Sequence, residues 1–268
     1  MNDARGTLII IGGHEDKEGD RIILSAVARR AAGGRLVIAT VASEEPDAYF
    51  AAYRETFAAL GATDMVQLHL VDRREADDPA RAALLDGAAG VFFSGGDQQR
   101  IADRIGGTPL ERLLHQIHAQ GGVIAGTSAG ASVMAAKMMV GGTSEQSHRV
   151  GDLQMTAGLG LIRDVVIDQH FAERGRIGRL LGAVAAQPDA IGIGIDEDTA
   201  IVVEGGGFTV IGAGAVTVVD ASGATRRRGS AGASDTLSVH DVRLHLLSAG
   251  DAFALARRAP VEPSAVAA

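Results

Sequence analysis

The sequence predicts an α/β fold: an open, mostly parallel sheet with helices on both faces, followed by a β-rich C-terminal extension. Three observations carry that expectation. Strand and helix signals alternate through residues 7–196, and strand runs such as Leu36-Val37-Ile38-Ala39 are apolar almost without a break, as burial on both faces requires. Beyond Asp196 the texture changes to short β-type runs separated by glycine.

Taken in order, the run over residues 7–11 is the first strand and stops at Gly12-Gly13. It is too short for the apolar segment of an export signal, so the cytoplasm is the expected location. A helix over residues 20–32, a strand over 35–41 and a helix ending near Leu60 follow. The alternation continues with a strand at 65–71, a helical segment at 81–85 and a strand at 90–93. Thr108-Pro109 opens a helix running to Gln120, since proline fits a first turn whose N–H groups lack partners anyway. Then come a strand at 122–125, a helix at 131–136 and strands at 165–171 and 190–198.

The late runs, at 199–203, 208–211, 215–219 and 242–247, read as hairpins or an antiparallel extension of one domain. The whole chain is therefore expected to be a single domain, with a core at about 7–196 and the extension at about 197–259. Arg226-Arg227-Arg228, between Gly223 and Gly229, reads as a solvated loop, and the segment from Pro260 onward as a frayed tail.

Composition narrows the function. The 268 residues, 46% hydrophobic and 22% charged, suffice for a substantial core, and a net charge of -8 lacks the basic footprint of a nucleic-acid binder. No segment has the length that spans a bilayer. With no cysteine, disulfides, thiolate metal sites and a cysteine nucleophile are excluded, so covalent catalysis must use oxygen.

Oxygen is offered at Ser128, the centre of Gly126-Thr127-Ser128-Ala129-Gly130. A strand, a sharp turn with serine at its apex and a helix are the context in which a nucleophile is raised above a sheet, and the flanking glycines permit the turn and the close helix approach. A serine hydroxyl needs a base. Of eight histidines, His170 stands out because it ends a strand run, at the edge where open α/β sheets place their chemistry. His69, His115 and His118 fall in structural or solvated contexts.

An acid must orient that imidazole. In Ile191-Gly192-Ile193-Gly194-Ile195-Asp196-Glu197-Asp198, strand parity places Glu197 on the isoleucine face, with Asp196 a rival if a turn breaks parity. Two amides must meet the developing oxyanion: the N–H of Ala129 is one, and Gly96 in Ser94-Gly95-Gly96-Asp97-Gln98 is the natural second. His14, Glu15, Asp16, Asp168 and His170 would suit a metal-assisted hydrolase, but they lack H-E-x-x-H spacing, so neither metal nor cofactor is expected. A silent scaffold whose serine turn only packs a helix is the remaining rival.

The segments Gly12-Gly13-His14-Glu15-Asp16-Lys17, Phe93-Ser94-Gly95-Gly96-Asp97-Gln98, Gly126-Thr127-Ser128-Ala129-Gly130-Ala131, Asp168-Gln169-His170-Phe171 and Gly192-Ile193-Gly194-Ile195-Asp196-Glu197 together resemble the cyanophycinase family of serine peptidases. That family has a class I glutamine amidotransferase-like fold and also includes aspartyl dipeptidase (peptidase E). The resemblance implies a Ser128–His170–Glu197 triad. It implies cleavage of cyanophycin, a polyaspartate carrying arginine, to β-aspartyl-arginine, or of short aspartyl peptides. It further implies a substrate site lined by Gln98, Asp168, Gln169, Arg174, Arg176 and Arg179, and a homodimer. His14 departs from the small residue expected at its position.

Overall fold

The structure, a computed structural model, describes residues 6–142, 153–187, 189–228 and 237–262. Its elements are, in chain order, β1 (Thr7–Ile11), α1 (Ile22–Arg30), β2 (Arg35–Ala39), α2 (Pro46–Ala59), β3 (Met65–Leu68), α3 (Pro79–Leu85), β4 (Ala88–Phe93), α4 (Gln98–Ile105), α5 (Pro109–Ala119), β5 (Val123–Thr127) and α6 (Ala129–Ser132). They continue with β6 (Lys137–Met139), β7 (Met155–Ala157), β8 (Val165–Gln169), α7 (Ile177–Ala186), β9 (Ile191–Ile195), β10 (Thr199–Glu204), β11 (Gly207–Gly212) and β12 (Val216–Asp220). The last are β13 (Thr225–Arg228), β14 (Leu237–His240), β15 (Arg243–Leu247), β16 (Ala252–Ala254) and β17 (Ala259–Val261).

Strand periodicity explains the layers. In β1, Leu8 and Ile10 join one core while Ile9 and Ile11 join the other, and β2 divides Val37 and Ala39 from Leu36 and Ile38 in the same way. Ile23, Leu24 and Val27 of α1, with Tyr53 and Phe57 of α2, cover one face. Leu85, Ile101, Leu110 and Leu114 of α3, α4 and α5 cover the other. Each of the fully buried isoleucines of β1 contributes about 1.5–3 kcal/mol through removal of apolar surface from water.

The main sheet has nine strands in the order β17-β16-β11-β10-β1-β5-β4-β2-β3. From β1 to β3 every pairing is parallel; from β1 outward through β10 to β17 every pairing is antiparallel. Of the late β segment, β10, β11, β16 and β17 thus extend the main sheet on the far side of β1. A second sheet, β15-β12-β9-β8, is covered by α7 through Leu180 and Val184. The residues between β9 and β10 carry the chain from this sheet back to the main one.

Three local expectations are corrected. The helix anticipated at 131–136 is α6, which begins at once after Ser128 and has only four residues; Ala136 N–H donates to Ile162 O and Ala135 bridges Ile162, so the chain is drawn into pairing instead. Arg226 to Arg228 are not loop but part of β13, paired with β14. The segment from Pro260 is ordered as far as β17, an edge strand where proline removes no ladder bond from a central position, while residues 263–268 lie outside the described residues.

A Cβ at Gly130 would stand 2.6 Å from both Cβ and O of Phe93. Gly130→Ala is therefore expected to destabilise by about 1–3 kcal/mol despite alanine's better helix propensity, because the packed β4 backbone leaves no room. Equilibrium denaturation measures this, and a more stable variant contradicts it.

Candidate active site

The end of β1 gathers three distant segments. Successive carbonyls accept successive partners: Ile11 O from Ser128 N–H (3.1 Å), Gly12 O from His170 N–H (2.8 Å) and Gly13 O from Asp198 N–H (2.8 Å). Gly13, at φ 115°, has no alternative, since a Cβ there would stand 2.2 Å from His170 Cε1. A pair of glycines after an apolar strand is thus what lets an imidazole lie against the backbone.

Ser128 occupies the turn between β5 and α6 with φ 53° and ψ −108°. A non-glycine residue held there stores roughly 1–3 kcal/mol of strain, which the surroundings must impose. They do so through close approach: a Cβ at Gly126 would meet Gly130 O at 2.5 Å. The serine is half-buried and its Oγ lies 2.9 Å from His170 Nε2.

His170, at the C-terminal end of β8, is 4% exposed in its side chain, and its Nδ1 lies 2.6 Å from Glu197 Oε1. Burial lowers the imidazole pKa, outweighing the Glu197 hydrogen bond that raises it; the Arg174 charge adds to the lowering. Strand β9 ends at Ile195, so Glu197 is delivered by a turn, with Asp198 at φ 45°, rather than by strand parity. Asp196, the rival acid, accepts from the Ala172 and Ala215 amides and braces the turn instead.

Gly96, at φ 135°, is packed so closely on Ala42 O that a Cβ would lie 2.2 Å from it. Among the described residues, neither the Gly96 nor the Ala129 N–H is taken by another backbone acceptor. Gly95, Gly96, Ser128, His170 and Arg174 border a cavity of about 500 Å³. Its wall also carries a group that the sequence did not reveal. Glu15, buried, accepts from Tyr53 Oη (2.6 Å), Lys17 Nζ (2.9 Å) and Thr127 Oγ1 (2.5 Å). Burial, then the Glu15 charge, pushes the Tyr53 hydroxyl well above its ordinary pKa, so it stays a donor. The available signal is an acidic residue two positions after a Gly-Gly turn.

The six residues that the resemblance assigns to substrate are placed unequally. Arg174 borders the cavity. Gln98 donates to Met139 O at 3.0 Å. Asp168, 0% exposed in its side chain, holds Arg179 through both carboxylate oxygens and Arg176 through one, and Arg176 also reaches Gln169. That cluster anchors the start of α7 to the end of β8, directly beside His170. Its carboxylate meets guanidinium groups of its own chain.

The five ligand-type residues considered for a metal hydrolase do not converge: Asp16 accepts backbone amides of its own turn, and Glu15 and Asp168 are engaged as described. A smaller set, His14, His170 and Glu197, does bring ligand atoms within 4.8 Å of one another. His69 and His115 contact the carbonyls of Thr40 and Leu159, structural positions away from Ser128.

Comparison with known proteins shows the family of the chain. A cyanophycinase of Trichormus variabilis is 41% identical over 257 residues, covering 94% of this chain and 86% of that protein. Another from Geminocystis herdmanii is 37% identical over 254 residues, 93% of each. Among solved structures, a peptidase from an acI-B1 Actinobacterium superimposes with a TM-score of 0.71 at 24% identity, covering 93% of this chain and 97% of that one, and so shares the fold. No helix among the described residues is long and apolar enough to cross a membrane. The profile of peptidase family S51 matches residues 8–211, the span that contains the serine elbow, His170 and Glu197, and the chain belongs to that family.

Proposed function

We propose that the protein is a cyanophycinase: a serine exopeptidase that releases β-aspartyl-arginine from cyanophycin through an acyl-enzyme. The observation that carries this reading is the continuous relay of 2.9 Å from Ser128 Oγ to His170 Nε2 and 2.6 Å from His170 Nδ1 to Glu197 Oε1. Similarity to proteins named cyanophycinase over nearly the whole chain supports the choice of substrate over a short aspartyl peptide.

In the reaction, His170 Nε2 takes the hydroxyl proton as Ser128 Oγ attacks the scissile carbonyl, and Glu197 holds the Nδ1–H and stabilises the imidazolium. The Gly96 and Ala129 amides receive the oxyanion. His170 then protonates the leaving amine, and water attacks the acyl-enzyme by the same route. Because α6 is a single turn, its dipole adds little, and the amides themselves carry the stabilisation. Arg174, at the cavity wall, pairs with a substrate carboxylate by its planar fork, while Gln98, Asp168, Gln169, Arg176 and Arg179 brace the segments behind it. The same reading takes the protein to act as a homodimer in the cytoplasm, without cofactor.

Ser128→Ala is expected to lower β-aspartyl-arginine release from insoluble cyanophycin by about 10⁶-fold with an unchanged circular dichroism spectrum, and Glu197→Gln by about 10⁴-fold. Retained turnover by the serine variant rejects the mechanism, and a preference for a plain α-aspartyl dipeptide over the polymer defeats the substrate assignment. Arg174→Ala is expected to raise KM more than it lowers kcat.

The pH profile offers an independent check. Only the neutral imidazole is a base, and burial lowers its pKa, so the competent form persists below the ordinary histidine value of about 6.5. Activity, followed as kcat/KM, should fall only as pH drops below that value. An acid limb centred at 7 or above, by the order of the ordinary value, contradicts the assignment.

A further inference from the structure

The reaction above leaves His14 unused. Its backbone is fixed at φ 48° directly after Gly13, its side chain is 71% exposed, and its ring meets that of His170 edge to face with centroids 5.3 Å apart. Its Nδ1 lies 3.8 Å from Glu197 Oε2, while Glu197 Oε1 lies 2.6 Å from His170 Nδ1.

We propose that His14, His170 and Glu197 form an inhibitory site for a zinc-type divalent transition metal, which disables the base rather than supplying chemistry. Two imidazoles and a carboxylate are a donor set that zinc accepts, at about 2.0–2.1 Å from nitrogen. Two such ligands around a tetrahedral ion stand roughly 3.3 Å apart. The two separations at the Glu197 carboxylate bracket that distance and the three ligand atoms lie within 4.8 Å of one another, so closing the set takes a rotation of the Glu197 side chain and of the exposed His14 side chain. His14 supplies the third ligand from the solvent side, where a water can complete the shell.

The consequence follows from proton placement. A neutral imidazole carries one proton; in the relay it sits on Nδ1, toward Glu197, leaving the Nε2 lone pair for the Ser128 hydroxyl. A metal bound at Nδ1 uses that nitrogen's lone pair, and the proton passes to Nε2. No proton is gained or lost by the ring, yet Nε2 becomes a donor and Ser128 loses its base. The Glu197 charge favours the cation and the Arg174 charge, which acts on His170, opposes it.

The loss of activity, though not the binding of metal, rests on the reading of His170 as the base. Two measurements separate them: calorimetric titration of the metal-free protein with zinc chloride, and the dependence of β-aspartyl-arginine release on zinc, each rate taken relative to the same variant's zinc-free rate. The expected result is one zinc per chain, inhibition reversed by a chelator, and, in His14→Ala, a rise of about tenfold or more in both the Kd and the half-inhibitory concentration. His14→Asn, which tolerates the left-handed backbone, should behave alike and guards against a folding defect. No bound zinc, equal affinity in wild type and both variants, or zinc-insensitive turnover by the zinc-bound enzyme overturns the proposal. Absence of β-aspartyl-arginine release without zinc strikes only the peptidase reading, because calorimetry needs no turnover.

Discussion

Everything at the site depends on three consecutive backbone carbonyls. Ile11, Gly12 and Gly13 accept the amides of Ser128, His170 and Asp198, so the spacing of one strand end fixes Ser128, His170 and the turn bearing Glu197 relative to one another. Side chains alone would not hold this geometry, because a 2.6–2.9 Å relay tolerates little drift before the proton path breaks. Glycine is required at the second and third of these positions for the same reason: a Cβ at Gly12 would stand 2.0 Å from Asp196 O, and one at Gly13 2.2 Å from His170 Cε1.

Around that frame, the charged groups divide into two kinds. The Asp168 cluster with Arg176 and Arg179 is buried and internally satisfied, and it clamps α7 to the strand that ends in His170. Such a cluster contributes geometry more than stability, since the desolvation of its members offsets much of their attraction. The Glu15 group is different in position, lying in the cavity wall, where Tyr53 and Thr127 hold the carboxylate and Lys17 lies 5.0 Å over the Tyr53 ring. It joins β5, the loop after β1 and α2 at the floor on which a substrate would rest.

Much of this was legible in the sequence, and the gaps have physical causes. Ser128 could be found because its pattern is local: the two flanking glycines, the preceding strand and the turn lie within a few residues. His170 followed from its place at a strand end. Glu197 was reached by parity, yet the structure delivers it by a turn after Ile195; the residue was indicated although the geometry that presents it was not. The second sheet was invisible because β9 pairs with β12, a long-range choice that local periodicity does not encode. Arg226 to Arg228 looked like a loop by charge, but pairing with β14 decides their backbone, an instance of context overriding composition. Glu15 stands out in the sequence only as a candidate metal ligand, and its grouping with Tyr53 and Thr127 is not legible because residues 15, 53 and 127 meet only in the folded chain.

Ser128 stands on the nine-stranded sheet, whereas His170 and Glu197 follow strands of the four-stranded one. The hydrogen bond between Ser128 and His170 therefore gauges the registration of one sheet against the other. A slide of even an ångström between them would open that hydrogen bond while every ladder remained paired, leaving a chain that looks native to spectroscopy.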